Sequence, residues 1–391
     1  MRQQPASSSE SEVPNSMAPD WDKVRSEFPS LEHWTFLNTA TFGQLPRRAA
    51  DAVSRHFARR DGLACSDFLD WFDDADGLRR SLATLVGALP DDIAFFPSAT
   101  AALSLLVGGI EWRPGDRIVT LEHEFPNNLY YPALLEARQV EFVETAWEGF
   151  HAALTPATRL VAVSMLNYTT GFRAPLDEIA GLVAGRGALF FVDGTQGLGA
   201  LQLDLSRLRI SMLAAHGYKW LLSPTGAGFA YVAPELRKKL APNQVGWRSH
   251  HAWREVNHLH HGAPDFKSEA EKYEGSMLPF PCLYAMQAAV GLILELGPAA
   301  VEERVLDLAA KLRAMLKQLG ATLPSGDGAH FDNSPIVAAR FPHKDAAELV
   351  RLLKQRRILV SARHGNLRIS VHFYNNEQDL ERLGTALGAL L

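Results

Sequence analysis

The chain has 391 residues, 47% of them hydrophobic and 21% charged, with a net charge of −5. That balance is ordinary for a globular protein and gives no reason to expect nucleic acid or an anionic membrane as a partner. Its two cysteines, Cys65 and Cys282, are too few for a disulfide framework or a CxxC metal site and fit a reducing, cytoplasmic location.

Residues 1–19 read as a disordered tail, rich in Ser, Glu and Pro and without the apolar core of a signal peptide. No apolar run is long enough to span a membrane. Ordered structure is expected from about Trp21. Short apolar runs then alternate with helical patterns. IAFF (93–96) leads to a helix opening at Ser98, and RIVTL (117–121) precedes a loop and a helix around 129–137. RLVAVSML (159–166), ALFFVDG (188–194), MLAA (212–215) and GFAYV (228–232) are further apolar segments, and 176–185 has a helical pattern. Apolar strands interleaved with helices predict a mainly parallel sheet covered on both faces. From about 282 the pattern changes. Helices at 284–297, 300–319, 344–355 and 377–390 surround strands at 336–341, 358–363 and 367–373, which predicts a smaller α+β domain.

The chemistry concentrates in three places. FFVDGTQGLGA (190–200) ends an apolar strand in Asp193, at the sheet edge where α/β proteins bind ligands. AAHGYKWLLSPTG (214–226) holds Lys219 between Tyr218 and Trp220. A lysine in apolar company has its pKa pushed down and can form a Schiff base. PSATAALSLL (97–106) sets Ser98 and Thr100 at a helix N-terminus, a ready phosphate site. A carboxylate, a Schiff-base lysine and a phosphate-binding turn are what pyridoxal phosphate requires. Each piece also has a plainer reading: Asp193 and Ser98 as helix caps, Lys219 as a snorkelling surface lysine. The three in this order are far more specific than any one.

With these residues in view, the chain resembles the class V aminotransferase family of fold-type I pyridoxal-phosphate enzymes, a group that includes cysteine desulfurases, selenocysteine lyases, kynureninases and isopenicillin N epimerase-like proteins. The matching motifs are FLNTATFG (36–43), FFPSATAALSLL (95–106), EHEFPNN (122–128), VSMLNYTTGFR (163–173), VDGTQGLG (192–199), HGYKWLLSPTGAG (216–228) and LRISVHFYN (367–375). The resemblance implies an α/β fold with a seven-stranded-type, mainly parallel sheet in a large cofactor domain (36–263), with a small domain from 20–35 and 264–391. It implies that Lys219 forms the Schiff base and shuttles the Cα proton, and that Asp193 pairs with the pyridine nitrogen. Ala99, Thr100 and His216 are implied at the phosphate, Gln196 and Asn167 beside the ring oxygen, and Phe125 or His123 stacked on the ring. Arg368 is implied as the fork for the substrate α-carboxylate, with Arg363, Trp247 and Arg248 as candidates for specificity. Of these, Arg248 reads more simply as a solvated charge. Ser276 stands where relatives reach across a homodimer to the neighbour's phosphate.

The departures bear on the reaction. The desulfurase cysteine precedes the carboxylate arginine, but here that stretch is VSARHGNLR (360–368) and has none. The expected activity is therefore chemistry at Cα of an amino acid through an external aldimine, with transamination in the lead. A lyase without a persulfide-forming cysteine, or an epimerase, is the alternative. A non-catalytic descendant of the fold would have lost Lys219 or Asp193. A P-loop or Rossmann enzyme lacks its motif here. The histidines of SHHAWREVNHLHH (249–261) lack regular metal-ligand spacing, so no metal is expected.

Overall fold

The computed structural model describes residues 18–324 and 328–391; most of the expected N-terminal tail, residues 1–17, lies outside the described residues. In chain order the strands are β1 (Thr35–Phe36), β2 (Ile93–Phe96), β3 (Arg117–Leu121), β4 (Glu141–Thr145), β5 (Thr158–Ser164) and β6 (Leu189–Asp193). They continue as β7 (Met212–His216), β8 (Gly228–Val232), β9 (Ile336–Ala339), β10 (Ile358–Leu359), β11 (Ser361–Arg363) and β12 (Asn366–Ser370).

Seven of them form one sheet in the order β2-β8-β7-β6-β5-β3-β4. Every pairing is parallel except those of β8, which runs antiparallel to both β2 and β7. Because β8 reverses twice over, the C-terminal ends of β2, β3, β5, β6 and β7 all open on one edge. The inner strands MLAAH and GFAYV are apolar almost throughout because helices cover both faces; IAFF, at one edge of the sheet, is also fully buried. Strand β4, EFVET, lies at the rim and keeps its glutamates exposed, as an edge strand does.

Helices Arg47–Leu63 and Asp70–Val86 pack against the apolar helix Phe280–Leu296. A second hydrophobic cluster under helix Ala99–Gly109 fills the opposite face. A third core gathers helices Pro298–Gln318, Ala346–Gln355 and Glu377–Gly388 around the antiparallel sheet β11-β12-β9. Leu37 belongs to this third core and β1 runs parallel to β10, while Phe28, Leu31, Phe36 and Ala40 belong to the first core, so the N-terminal segment bridges the two before it enters the site. Among the described residues no single helix is long and apolar enough to cross a membrane.

Candidate active site

The site forms where the C-terminal strand ends meet. Register sets Ser164, Asp193 and Ala214 side by side on β5, β6 and β7. Five residues beyond Ala214, the chain turns back toward β8 through a loop carrying Lys219. The loop is held from several sides. The Gly43 amide donates to the Tyr218 carbonyl at 2.9 Å. Gln196 accepts from the Trp220 indole at 2.9 Å and donates to the Ala40 carbonyl at 3.0 Å. The His372 ring bonds the Trp220 carbonyl through Nε2 at 2.9 Å, and its Nδ1 accepts from the Phe373 amide. His372 is thereby fixed as a neutral tautomer, and burial pushes its pKa down to about 3.

Lys219 is only 8% exposed. Burial pushes its pKa down to about 8; Asp193 pulls it back up, and Arg368 and Arg363 add to the fall. Its Nζ lies 5.5 Å from the centre of the Phe125 ring and 5.6 Å from that of Tyr218. Asp193 is buried, and its Oδ1 accepts the Thr195 amide at 2.9 Å. Among the described residues its Oδ2 accepts no hydrogen bond, so the carboxylate has capacity left for a ligand. His216 has a lowered pKa, mainly from burial, with Asp193 raising it and Lys219 lowering it.

At the far end of β2, Ser98 caps helix Ala99–Gly109 by accepting from the Ala101 amide at 3.0 Å. The amides of Ala99 and Thr100 belong to a first helical turn, which has no intrahelical acceptor to offer them. That end of the helix favours an anion.

Arg368 is 1% exposed, yet no carboxylate lies against it among the described residues. Its guanidinium donates to Ser361 Oγ at 3.0 Å, to the Tyr168 carbonyl at 2.7 Å and to Thr41 Oγ1 at 2.6 Å. Burial, then Arg363, pushes its pKa down to about 9. Arg363 also reaches Thr41 Oγ1, at 3.4 Å, and donates to the Ala362 carbonyl at 2.7 Å. A buried cation with no acidic partner is costly unless a ligand supplies the anion.

Of the two candidates for the ring stack, Phe125 faces Lys219. His123 is exposed, and its Nε2 is 3.9 Å from Glu122. Asn167 is occupied locally: it donates to the His123 carbonyl and accepts the Thr169 and Thr170 amides. Gln196 and Asn167 therefore brace the backbone around the site. Ser276 is exposed, and its carbonyl accepts from Arg248 at 2.9 Å. Arg248 corrects the expectation of a solvated charge. It is 1% exposed, pairs with Glu271 at 2.7 Å and Glu274 at 2.9 Å, and packs on Phe72 and Trp253. Trp247 packs in the same aromatic cluster. Residues 250 and 260 stack their imidazoles at 4.2 Å, and among the described residues no group of three His, Cys, Asp or Glu is placed to hold a metal ion.

Three residues at or beside the site were not singled out from the sequence, although all lie inside its quoted motifs. Thr41 accepts from both arginines. Tyr168 sits edge-on to Phe125 at 5.2 Å and shares a 3.0 Å hydrogen bond with His364 Nε2. Glu124 is buried behind Asp193, held by Ser164 and Asn128, and burial raises its pKa to about 7.

A buried lysine amine with its pKa lowered to about 8, a strand-end carboxylate, an aromatic ring and a helix N-terminus, all on the C-terminal edge of this sheet, define a fold-type I pyridoxal-phosphate enzyme. The residues fit that cofactor: Lys219 for its aldehyde, Asp193 Oδ2 for its ring nitrogen, Phe125 for its face, and the Ala99 and Thr100 amides for its phosphate. The chain belongs to the aminotransferase class-V family, whose model matches residues 36–383. It is 31% identical to isopenicillin N epimerase of Streptomyces clavuligerus, over 95% of this chain and 98% of that protein. The fold is shared with the cysteine desulfurase of Thermococcus onnurineus at a TM-score of 0.84 and 19% identity, covering 96% and 98% of the two chains. It is shared also with a cystine C-S lyase in complex with its product cysteine persulfide, at a TM-score of 0.82 and 23% identity, covering 92% and 99%.

Proposed function

We propose that the enzyme moves the Cα proton of an α-amino acid and that amino-group transfer is the outcome. The observation that carries this reading is Lys219, a buried amine held near pKa 8 beside an opposite charge and two unpaired arginines. When bound, pyridoxal phosphate supplies the electron sink that makes a Cα–H acidic. The chain's residues do the rest. Arg368 takes the α-carboxylate as a two-pronged fork and so fixes which bond at Cα points toward Lys219. Lys219 is close enough to its working pKa to accept that proton and give it up again. Phe125 and Tyr218 set their rings beside its amine. Asp193 is placed to pair with the cofactor's ring nitrogen.

The segment before Arg368 has no cysteine, and Cys282 donates its thiol to the Thr225 carbonyl. A persulfide step finds no support there. Epimerisation is the second reading. It draws on the similarity to isopenicillin N epimerase and on the Tyr168–His364 pair, a second proton carrier beside Arg368. We also propose a homodimer, in keeping with the family resemblance, with the exposed Ser276 and Met277 at its interface.

Incubation with single amino acids and a 2-oxo acid as amino acceptor, in heavy water, separates these outcomes. Transamination yields the substrate's own 2-oxo acid and deuterium at Cα of the remaining substrate. Accumulation of the opposite enantiomer without that oxo acid would replace it with epimerisation. Loss of the β-substituent would replace it with a lyase.

A further inference from the structure

We propose that the substrate is an amino acid with a second acidic group, and that Arg363 reads that group. The inference rests on the assignment of Arg368 to the α-carboxylate. A guanidinium has five N–H donors. Arg368 spends three, on Ser361, Tyr168 and Thr41, and keeps one on each terminal nitrogen. That is the capacity for one bidentate carboxylate and no more.

Arg363 is then unaccounted for. It shares Thr41 Oγ1 with Arg368, so the two cations face a common space, and each depresses the pKa of Lys219. Neither has a carboxylate within ion-pair distance among the described residues. The titratable neighbours on the surrounding segments are Tyr168 and His364, which bond each other, and Lys219. Asp193 is committed to the cofactor ring. One α-carboxylate balances one arginine and leaves a half-buried positive charge. A second anion on the substrate side chain balances it. An anchor of this kind makes discrimination against neutral amino acids large, because rejecting the acid group leaves Arg363 without its partner.

Inert acids test this without any turnover. Butyrate and glutarate, which share one carboxylate and differ in the second, are titrated into the cofactor-loaded protein. Binding is read by calorimetry and by the visible spectrum. Glutarate should bind at least about tenfold more tightly than butyrate. Arg363→Gln should remove that advantage while leaving butyrate within about twofold, and Arg363→Lys should keep part of it. Arg368→Gln should weaken both acids. Equal binding of the two acids to the native protein would overturn the proposal. So would an Arg363→Gln variant that loses both equally, which would make the two arginines one clamp. Cofactor uptake by each variant confirms that it is folded. If amino acids still perturb the spectrum when glutarate shows no preference, the reading of Lys219 stands and only the substrate class falls.

Discussion

At the scale of single residues the account turns on protonation. Lys219 must be neutral to attack the cofactor aldehyde. Below its value of about 8 the neutral fraction falls about tenfold per pH unit. Cofactor uptake by the empty protein should therefore speed up as pH rises and level off above about 8, measured by stopped-flow absorbance. Among the described residues, Asp193 is the charge that raises this value. Asp193→Asn should move the plateau to lower pH, while weakening hold on the ring. Lys219→Ala should lower turnover by about a thousandfold or more, since it removes the proton carrier itself. The positions of Asp193 and Lys219 stood out in the sequence because Asp193 ends an apolar strand and Lys219 lies in apolar company just after another. Arg248 was misread because its partners Glu271 and Glu274 lie 23 and 26 residues away in a segment without periodicity. The pairing of Tyr168 with His364 spans 196 residues and has no local signature.

At the scale of elements the lysine loop depends on close backbone approach. A side chain at Gly43 would run into the Lys219 carbonyl and Leu222. Gly43→Ala should cost about 1–3 kcal/mol and weaken cofactor hold, read by thermal unfolding with and without cofactor. On the other side, buried His372 anchors the carbonyl of Trp220 in its neutral form. Its folded value is near 3 against 6.5 unfolded, so the unfolded chain binds more protons between these limits. Its contribution to stability is complete above about pH 6.5 and is lost as pH falls toward 3. Glu124 acts in the opposite sense between about 4.5 and 7, because its folded form holds the proton more tightly. Urea unfolding from pH 7 to 4 should show His372→Gln to be destabilised at neutral pH but with a flatter acid decline.

At the scale of the molecule, the site is assembled by two lobes. The large sheet supplies Asp193, Lys219, Phe125 and the phosphate turn; the small lobe supplies Arg363 and Arg368. Segment 36–43 ties them, pairing β1 with β10 at one end and bonding Tyr218 at the other. The inner strands were legible because burial on both faces makes them continuous apolar runs. Helices Arg47–Leu63 and Asp70–Val86 were not picked out: both carry many charges, and the first buries only Ala49, Ala52 and His56. Strand β4 was hidden because its two exposed glutamates break up the apolar run. The proposed dimer should sediment at twice the chain mass of 43.1 kDa. A stable monomer with full turnover would remove Ser276 from the site.

The most direct test of the central claim is borohydride reduction of the cofactor-loaded protein followed by peptide mass analysis. Permanent attachment of the cofactor to Lys219, in the peptide that begins at Ile210, is the predicted result. Attachment at another lysine, or none at all, would contradict the account.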